Sequence, residues 1–158
     1  MYRSLTIAAR TLAYGLFSIL IAASLSIAEE QSIRPGINSY YENPDWQQWV
    51  NTFERPGREV YDKRHAIVDA TGIRPGIAVA DIGAGTGLFT RLFAERVGPQ
   101  GRVYAVDISR PFIENIVRTS QQRGFLNVEG VINCHKDVSL PPDSIDLSFL
   151  VDTYHHFE

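Results

Sequence analysis

A chain of 158 residues has room for one domain and not two. With 44% hydrophobic and 21% charged residues it reads as a packed globular domain, which excludes disordered, collagenous and all-membrane chains. The net charge of −3 leaves no basic footprint for a nucleic acid, and the single cysteine, Cys134, excludes an intramolecular disulfide and any cysteine-based zinc site.

Residues 1–28 follow the order of a secretory signal: Arg3 and Arg10, an apolar run from Leu12 to Leu25, then Ser26-Ile27-Ala28 before Glu29-Glu30. Small residues stand at both key positions of a cut after Ala28. Leu12 to Ala28 is also long enough, at the lower limit, for a membrane span, so membrane association through residues 12–28 as an uncleaved anchor is the main rival. Either reading expects the remainder to be exported, periplasmic or membrane-anchored; a helix of a cytoplasmic protein is the alternative.

Residues 29–56 read as an N-terminal arm with a short helix. The arm is polar and carries Pro35-Gly36; the helix begins after Asn43-Pro44-Asp45 and sets Trp46, Trp49, Val50 and Phe53 at helical spacing. With Tyr40 and Tyr41, the two tryptophans would line a lid, although such a stripe serves packing equally well. A second amphipathic helix is expected over residues 57–71, ending at Gly72, and Arg74-Pro75-Gly76 forms a turn.

From there strands and helices alternate. Residues 77–82 form a short apolar strand, 88–97 a helix, 102–106 a strand, 111–123 a helix, 127–132 a strand, and 144–151 a fourth strand after the Pro141-Pro142 turn. That alternation specifies βαβ units with right-handed crossovers, hence an α/β fold with a parallel sheet.

The sharpest feature is Asp81-Ile82-Gly83-Ala84-Gly85-Thr86-Gly87, placed where the first strand turns into a helix. Glycines there permit a tight turn and a close ligand, and free amides at the helix start can hold an anion. The dinucleotide pattern G-x-G-x-x-G is broken by Leu88, which disfavours a nucleotide-dependent oxidoreductase, and a phosphate-binding G-K-S/T is absent. Asp107 follows 20 residues after Gly87, at the end of the second strand, where a carboxylate can accept both hydroxyls of a ribose. Each part has a plainer reading: three glycines can serve packing, and a strand-end aspartate can cap the next helix. Their combination on one strand-loop-helix-strand frame favours a ligand.

The run Val79 to Gly87 resembles the first motif of the class I S-adenosylmethionine-dependent methyltransferases, and Val103-Tyr104-Ala105-Val106-Asp107 resembles their second. Leu140-Pro141-Pro142-Asp143-Ser144-Ile145-Asp146-Leu147 is similar to their approach to the fourth strand, so the likeness covers residues 58–158. It implies a Rossmann-like, doubly wound parallel sheet of order 3-2-1-4 in a cofactor-binding domain at residues 57–158, truncated after the fourth strand. The cofactor would be S-adenosyl-L-methionine. Asp81, Gly83, Ala84, Gly85, Thr86 and Gly87 would face its methionine part, Asp107 its ribose and Ile108 its adenine. An acidic residue expected against the adenine amino group falls near Lys136, with Asp137 adjacent. The fourth strand would present an open edge, a site for self-association.

After that strand the resemblance puts the acceptor side of the pocket. His155 or His156 would be a base, with Tyr154 or Asp152 orienting the acceptor. No metal is expected, because adjacent histidines point in different directions and no carboxylate motif stands at ligand spacing. The expected activity is methyl transfer to a small-molecule or lipid-like acceptor, or else binding of the nucleoside, or of a partner, without catalysis.

Overall fold

The computed structural model describes residues 36–134, 137–153 and 156. The signal reading of residues 1–28 and the anchor reading of 12–28 lie outside the described residues.

The sheet is built on β1 (Ala78–Ile82), a run of small and branched apolar residues with both faces covered. It is flanked by β2 (Arg102–Asp107) and β4 (Leu147–Leu150), with β3 (Val128–Ile132) beyond β2, all parallel in the order β3-β2-β1-β4. Burial on both faces is what permits the mostly apolar sequence of β1 and β2, in which Asp81 and Asp107 are the buried exceptions. Ile82 pairs with Val106, so β2 runs one residue further and Asp107 stands level with Gly83. The Gly83 and Ala84 amides both donate to the Val106 carbonyl, at 2.8 and 3.1 Å, and turn the chain away from the sheet there.

α5 (Leu88–Val97) covers one face, with Phe89, Phe93, Val97, Val79 and Val103 in the main core. Phe149 of β4 closes it, its ring centroid 4.9 Å from those of both Phe89 and Phe93. α6 (Arg110–Gln122) packs Ile113 and Ile116 against Ala84 and Ala105. It starts where Ser109 accepts from the Phe112 amide and Pro111 takes the first turn, a favoured place because its missing N–H would be unpaired anyway.

Before the sheet come α1 (Ser39–Glu42), α2 (Trp46–Phe53), α3 (Glu59–Asp62) and α4 (Arg64–Ala70). α2 is capped by Asp45, whose side chain accepts from the Gln48 amide at 3.1 Å. The single helix expected over 57–71 is instead two, broken at Lys63. Arg64 is the cause: its guanidinium donates to the Tyr61 carbonyl at 2.7 Å and lies 4.2 Å over the Tyr61 ring, ending the first turn with a side-chain cap. β4 is shorter than expected because Asp146 uses its carboxylate on the Ala78 amide, at 2.8 Å, where a ladder bond would otherwise extend the strand. Among the described residues β4 has only β1 as a neighbour.

Candidate functional site

The C-terminal ends of β1, β2 and β4 open into a cleft of about 960 Å³, measured out to its mouth. Strand ends are where open α/β sheets bind ligands. The loop after β1 forms its floor, the loops after β2 and β4 its flanks, and residues of the N-terminal arm its roof.

The three loop glycines do different jobs. A Cβ at Gly83 would collide with the Thr153 side chain, and one at Gly87 would stand 2.7 Å from Ile116 Cγ1; both are packing positions. Gly85 is the open one, its nearest neighbour on the Cβ side being the Phe53 ring at 3.8 Å. Substituting Gly87 by alanine is expected to cost about 1–3 kcal/mol in denaturant unfolding, because its φ of +77° and the fully buried Ile116 both resist a methyl group.

Asp107 ties this loop to β2. Its Oδ2 accepts from the Gly85 amide at 2.9 Å and its Oδ1 from the Ser109 amide at 2.8 Å. Burial pushes its carboxyl above the ordinary carboxylate range, and the amides of Ser109, Gly85 and Ile108 hold it down. Ser109, not Asp107, caps α6, which removes the plainer reading of the strand-end acid.

The family model described as a methyltransferase domain matches residues 79–158, half of the chain. The chain belongs to the methyltransferase domain family. It is 41% identical over 90 residues to a ubiquinone/menaquinone biosynthesis C-methyltransferase UbiE of Hydrogenovibrio crunogenus, a match covering 54% of this chain and 34% of that one. It is 31% identical over 103 residues to the aklanonic acid methyltransferase DauC of a Streptomyces species, covering 65% and 47%. A nocamycin O-methyltransferase of Saccharothrix syringae is 31% identical over 104 residues, covering 56% and 37%. The chain thus spans about a third to a half of the length of these relatives. Among solved structures, a SAM-dependent methyltransferase from Aquifex aeolicus superposes with a TM-score of 0.62 at 25% identity, covering 72% of this chain and 60% of that one. The four-stranded parallel order is the Rossmann-like methyltransferase sheet, and the cofactor that goes with this family and fold is S-adenosyl-L-methionine.

Within the methyltransferase domain, Gly83, Ala84, Gly85, Thr86, Asp107, Ile108 and Asp152 come together along the cleft. Three expected site residues do not, of which Gly87 is taken up by packing against Ile116. Asp81 is interior, its Oδ2 accepting the Thr90 hydroxyl at 2.6 Å, and it does not line the cleft. Asp137 is exposed, bridged to Cys134, with its Oδ1 accepting from the Ser139 amide at 2.6 Å; Asn133 and Cys134 line the cleft in its stead. Lys136, Tyr154 and His155 lie outside the described residues.

Of the residues expected to form a lid, Tyr41 lines the cleft and Tyr40, Trp46 and Trp49 do not, while sequence reasoning missed Asn38 and Arg58. Asn38 lines the cleft, donating from Nδ2 to the His156 carbonyl at 3.3 Å, which turns its Oδ1 toward His156 Nδ1 at 3.0 Å. Tyr41 stands edge-on to His156 at 5.0 Å and stacks on Trp49, which stacks on Phe53. Burial, helped by the charge of Asp107, pushes the Tyr41 hydroxyl above its ordinary value. Tyr40, by contrast, points away and is 79% exposed. Arg58 pairs with Asp152 across the cleft and donates to the Phe53 carbonyl at 3.2 Å. The contacts of Asn38 and Tyr41 with His156, and of Arg58 with Asp152, join residues about a hundred positions apart, and no periodicity in the arm announces them.

Proposed function

We propose that this cleft binds S-adenosylmethionine and directs its methyl group to a small, largely apolar acceptor. The observation that carries the reading is the junction of Gly85 and Asp107: an uncovered glycine backbone beside a buried carboxylate whose position is set by two amides. An ionised carboxylate has about four acceptor sites, so with two taken by Gly85 and Ser109 it retains capacity for the two ribose hydroxyls. Arg58 and Asp152 offer one charge of each sign for the carboxylate and ammonium of the amino-acid end. Bound there, the cofactor supplies a methyl group on a positively charged sulfur. The remaining contribution of the protein is placement and exclusion of water, by Tyr41, Phe53, Val60, Leu88 and Val151 along the cleft wall. That wall, and relatives named for ubiquinone/menaquinone biosynthesis, nocamycin and aklanonic acid, support an apolar small molecule over a macromolecule as acceptor.

Calorimetric titration of the full chain with S-adenosylhomocysteine tests the site. Asp107→Ala is expected to weaken binding at least about tenfold, since hydrogen bonds to a charged acceptor are lost. Asp107→Asn, which keeps an acceptor for the Gly85 amide, serves as the control for folding. Absence of binding by the unmodified chain, or an Asp107→Ala variant that binds as well, would refute the reading.

A further inference from the structure

Asn38 stands at the N-cap of α1, where its residue type usually accepts from a helix amide, yet its side chain makes no such bond. It is spent on the chain after β4 instead. Its Nδ2 donates to the His156 carbonyl at 3.3 Å, and a carbonyl can only accept. The other end of this buried amide, 3.0 Å from His156 Nδ1, is therefore the oxygen, and Nδ1 is the nitrogen that carries the hydrogen. In a neutral imidazole the lone pair then belongs to Nε2. The His156 backbone is fixed as well: its amide donates to the Thr153 carbonyl at 2.8 Å, and the Thr153 hydroxyl lies 3.4 Å from the Gly83 carbonyl oxygen. That places His156 in the lining of the cleft, one turn from the residue seated on the glycine loop.

We propose that Asn38 is a positioning residue that makes His156 Nε2 the proton acceptor for a molecule methylated on a weakly acidic hydroxyl, a phenol or an enol. The inference rests on the methyl transfer proposed above. Among the described residues lining the cleft, Asp107 is committed to the Gly85 and Ser109 amides and Asp152 to Arg58. Tyr41, whose hydroxyl burial keeps protonated, and Cys134 are the other titratable groups there, which leaves imidazole as the base suited to neutral pH. A neutral amide suits its support better than a carboxylate. Nδ1–H donates to it from the neutral and the protonated ring alike, so proton uptake at Nε2 needs no tautomer change, and no new charge pair holds the proton afterwards. In the step, Nε2 takes the hydroxyl proton and the oxygen lone pair forms a bond to the methyl carbon, while the sulfur–carbon bond breaks with its electron pair left on sulfur. The products are a methyl ether, S-adenosylhomocysteine and an imidazolium that releases its proton to water. A neutral amine already offers a lone pair and gains nothing from such a base, so the arrangement suits a hydroxyl.

Long-range proton–nitrogen NMR spectra of the full chain carrying isotope-labelled histidine read the tautomer without any ligand, His156 being assigned by its loss in His156→Gln. Above the imidazole titration the parent is expected to hold its hydrogen on Nδ1 and Asn38→Leu to revert to hydrogen on Nε2. Asn38→Asp, which keeps an acceptor and adds a negative charge, should hold it on Nδ1 and raise the pH at which His156 titrates. A second arm follows labelled methyl from S-adenosylmethionine into β-naphthol and into N-methylbenzylamine. Transfer to the naphthol is expected, with kcat lowered about tenfold or more in Asn38→Leu at a KM within about twofold. Asn38→Asp should restore most of kcat and carry its rise with pH to higher pH. Hydrogen on Nε2 in the parent, a tautomer unmoved by Asn38→Leu, or transfer to the amine and not to the naphthol overturns the inference and leaves the cofactor site standing. Binding of S-adenosylhomocysteine with transfer to neither probe does the same. Should Asn38→Leu fail to fold, the tautomer of the parent and the pH shift in Asn38→Asp decide. No binding of S-adenosylhomocysteine by the parent overturns the cofactor site and the inference together.

Discussion

Replacing Glu54 with alanine is expected to cost about 3–5 kcal/mol of folding stability, as large an effect as any single substitution away from the main core should have. Arg91 of α5 sends one guanidinium nitrogen to both Glu54 oxygens, each at 2.7 Å, and another to the Thr86 carbonyl at 2.9 Å. Both side chains are nearly shielded, 10% and 15% exposed, so deleting the carboxylate leaves a guanidinium with its charge uncompensated and only the Thr86 carbonyl as a partner. The penalty comes from the orphaned charge, not from the net worth of the pair. Glu54→Leu combined with Arg91→Met should therefore recover most of it, since a packed apolar pair of similar volume is often neutral. Urea unfolding at unchanged m reads both values. A loss below about 1 kcal/mol for Glu54→Ala would mean that solvent reaches the pair. The same three groups connect the end of α2 to the glycine loop, and Phe53 of α2 is the nearest neighbour of Gly85 on its open side. Glu54→Ala is thus expected to loosen ligand binding as well as the fold.

How far such features can be read from residues alone depends on whether the cause is local. β1 and α5 were legible almost to the residue, because an apolar run ending in glycines and a 3.6-residue apolar period act within one element. The break at Lys63 was not, since it depends on a single guanidinium folding back on the Tyr61 carbonyl. In the site, the glycine loop and Asp107 carry their signal in spacing along the chain. Asp81, next to them in sequence, is drawn inward by the Thr90 hydroxyl in the first turn of α5, a contact that the D-x-G-x-G-x-G pattern does not encode. Two roof contacts were illegible for the same reason at larger scale: Asn38 meets His156 at a separation of 118 residues, and Arg58 meets Asp152 at 94.

The interior position of Asp81 makes stability depend on pH in a direction opposite to that of most carboxylates. Burial pushes its pKa from the ordinary 3.8 to about 6; the Thr90 hydroxyl holds it down, the charge of Asp107 pushes it further up, and the Thr90 amide and Arg91 hold it down again. The fold therefore prefers the protonated acid. Below pH about 4 the group is protonated whether the chain is folded or not, and the preference is fully available. Between about pH 4 and 6 the native state binds more protons than the unfolded one, so unfolding free energy falls as pH rises, and above about 6 the loss is complete. At 1.36 kcal/mol per unit the full drop is about 3 kcal/mol. Other carboxylates titrate in the same window, so the quantity to measure is the difference between the parent and Asp81→Asn, which keeps an oxygen for the Thr90 hydroxyl but carries no charge. That difference should swing by about 3 kcal/mol across pH 4–6 in favour of the variant and stay level above it. Thr90→Val, which removes the donor holding the carboxylate, should carry the upper end of the swing to higher pH. A level difference curve across the whole range would place Asp81 in contact with solvent, and with it the first turn of α5.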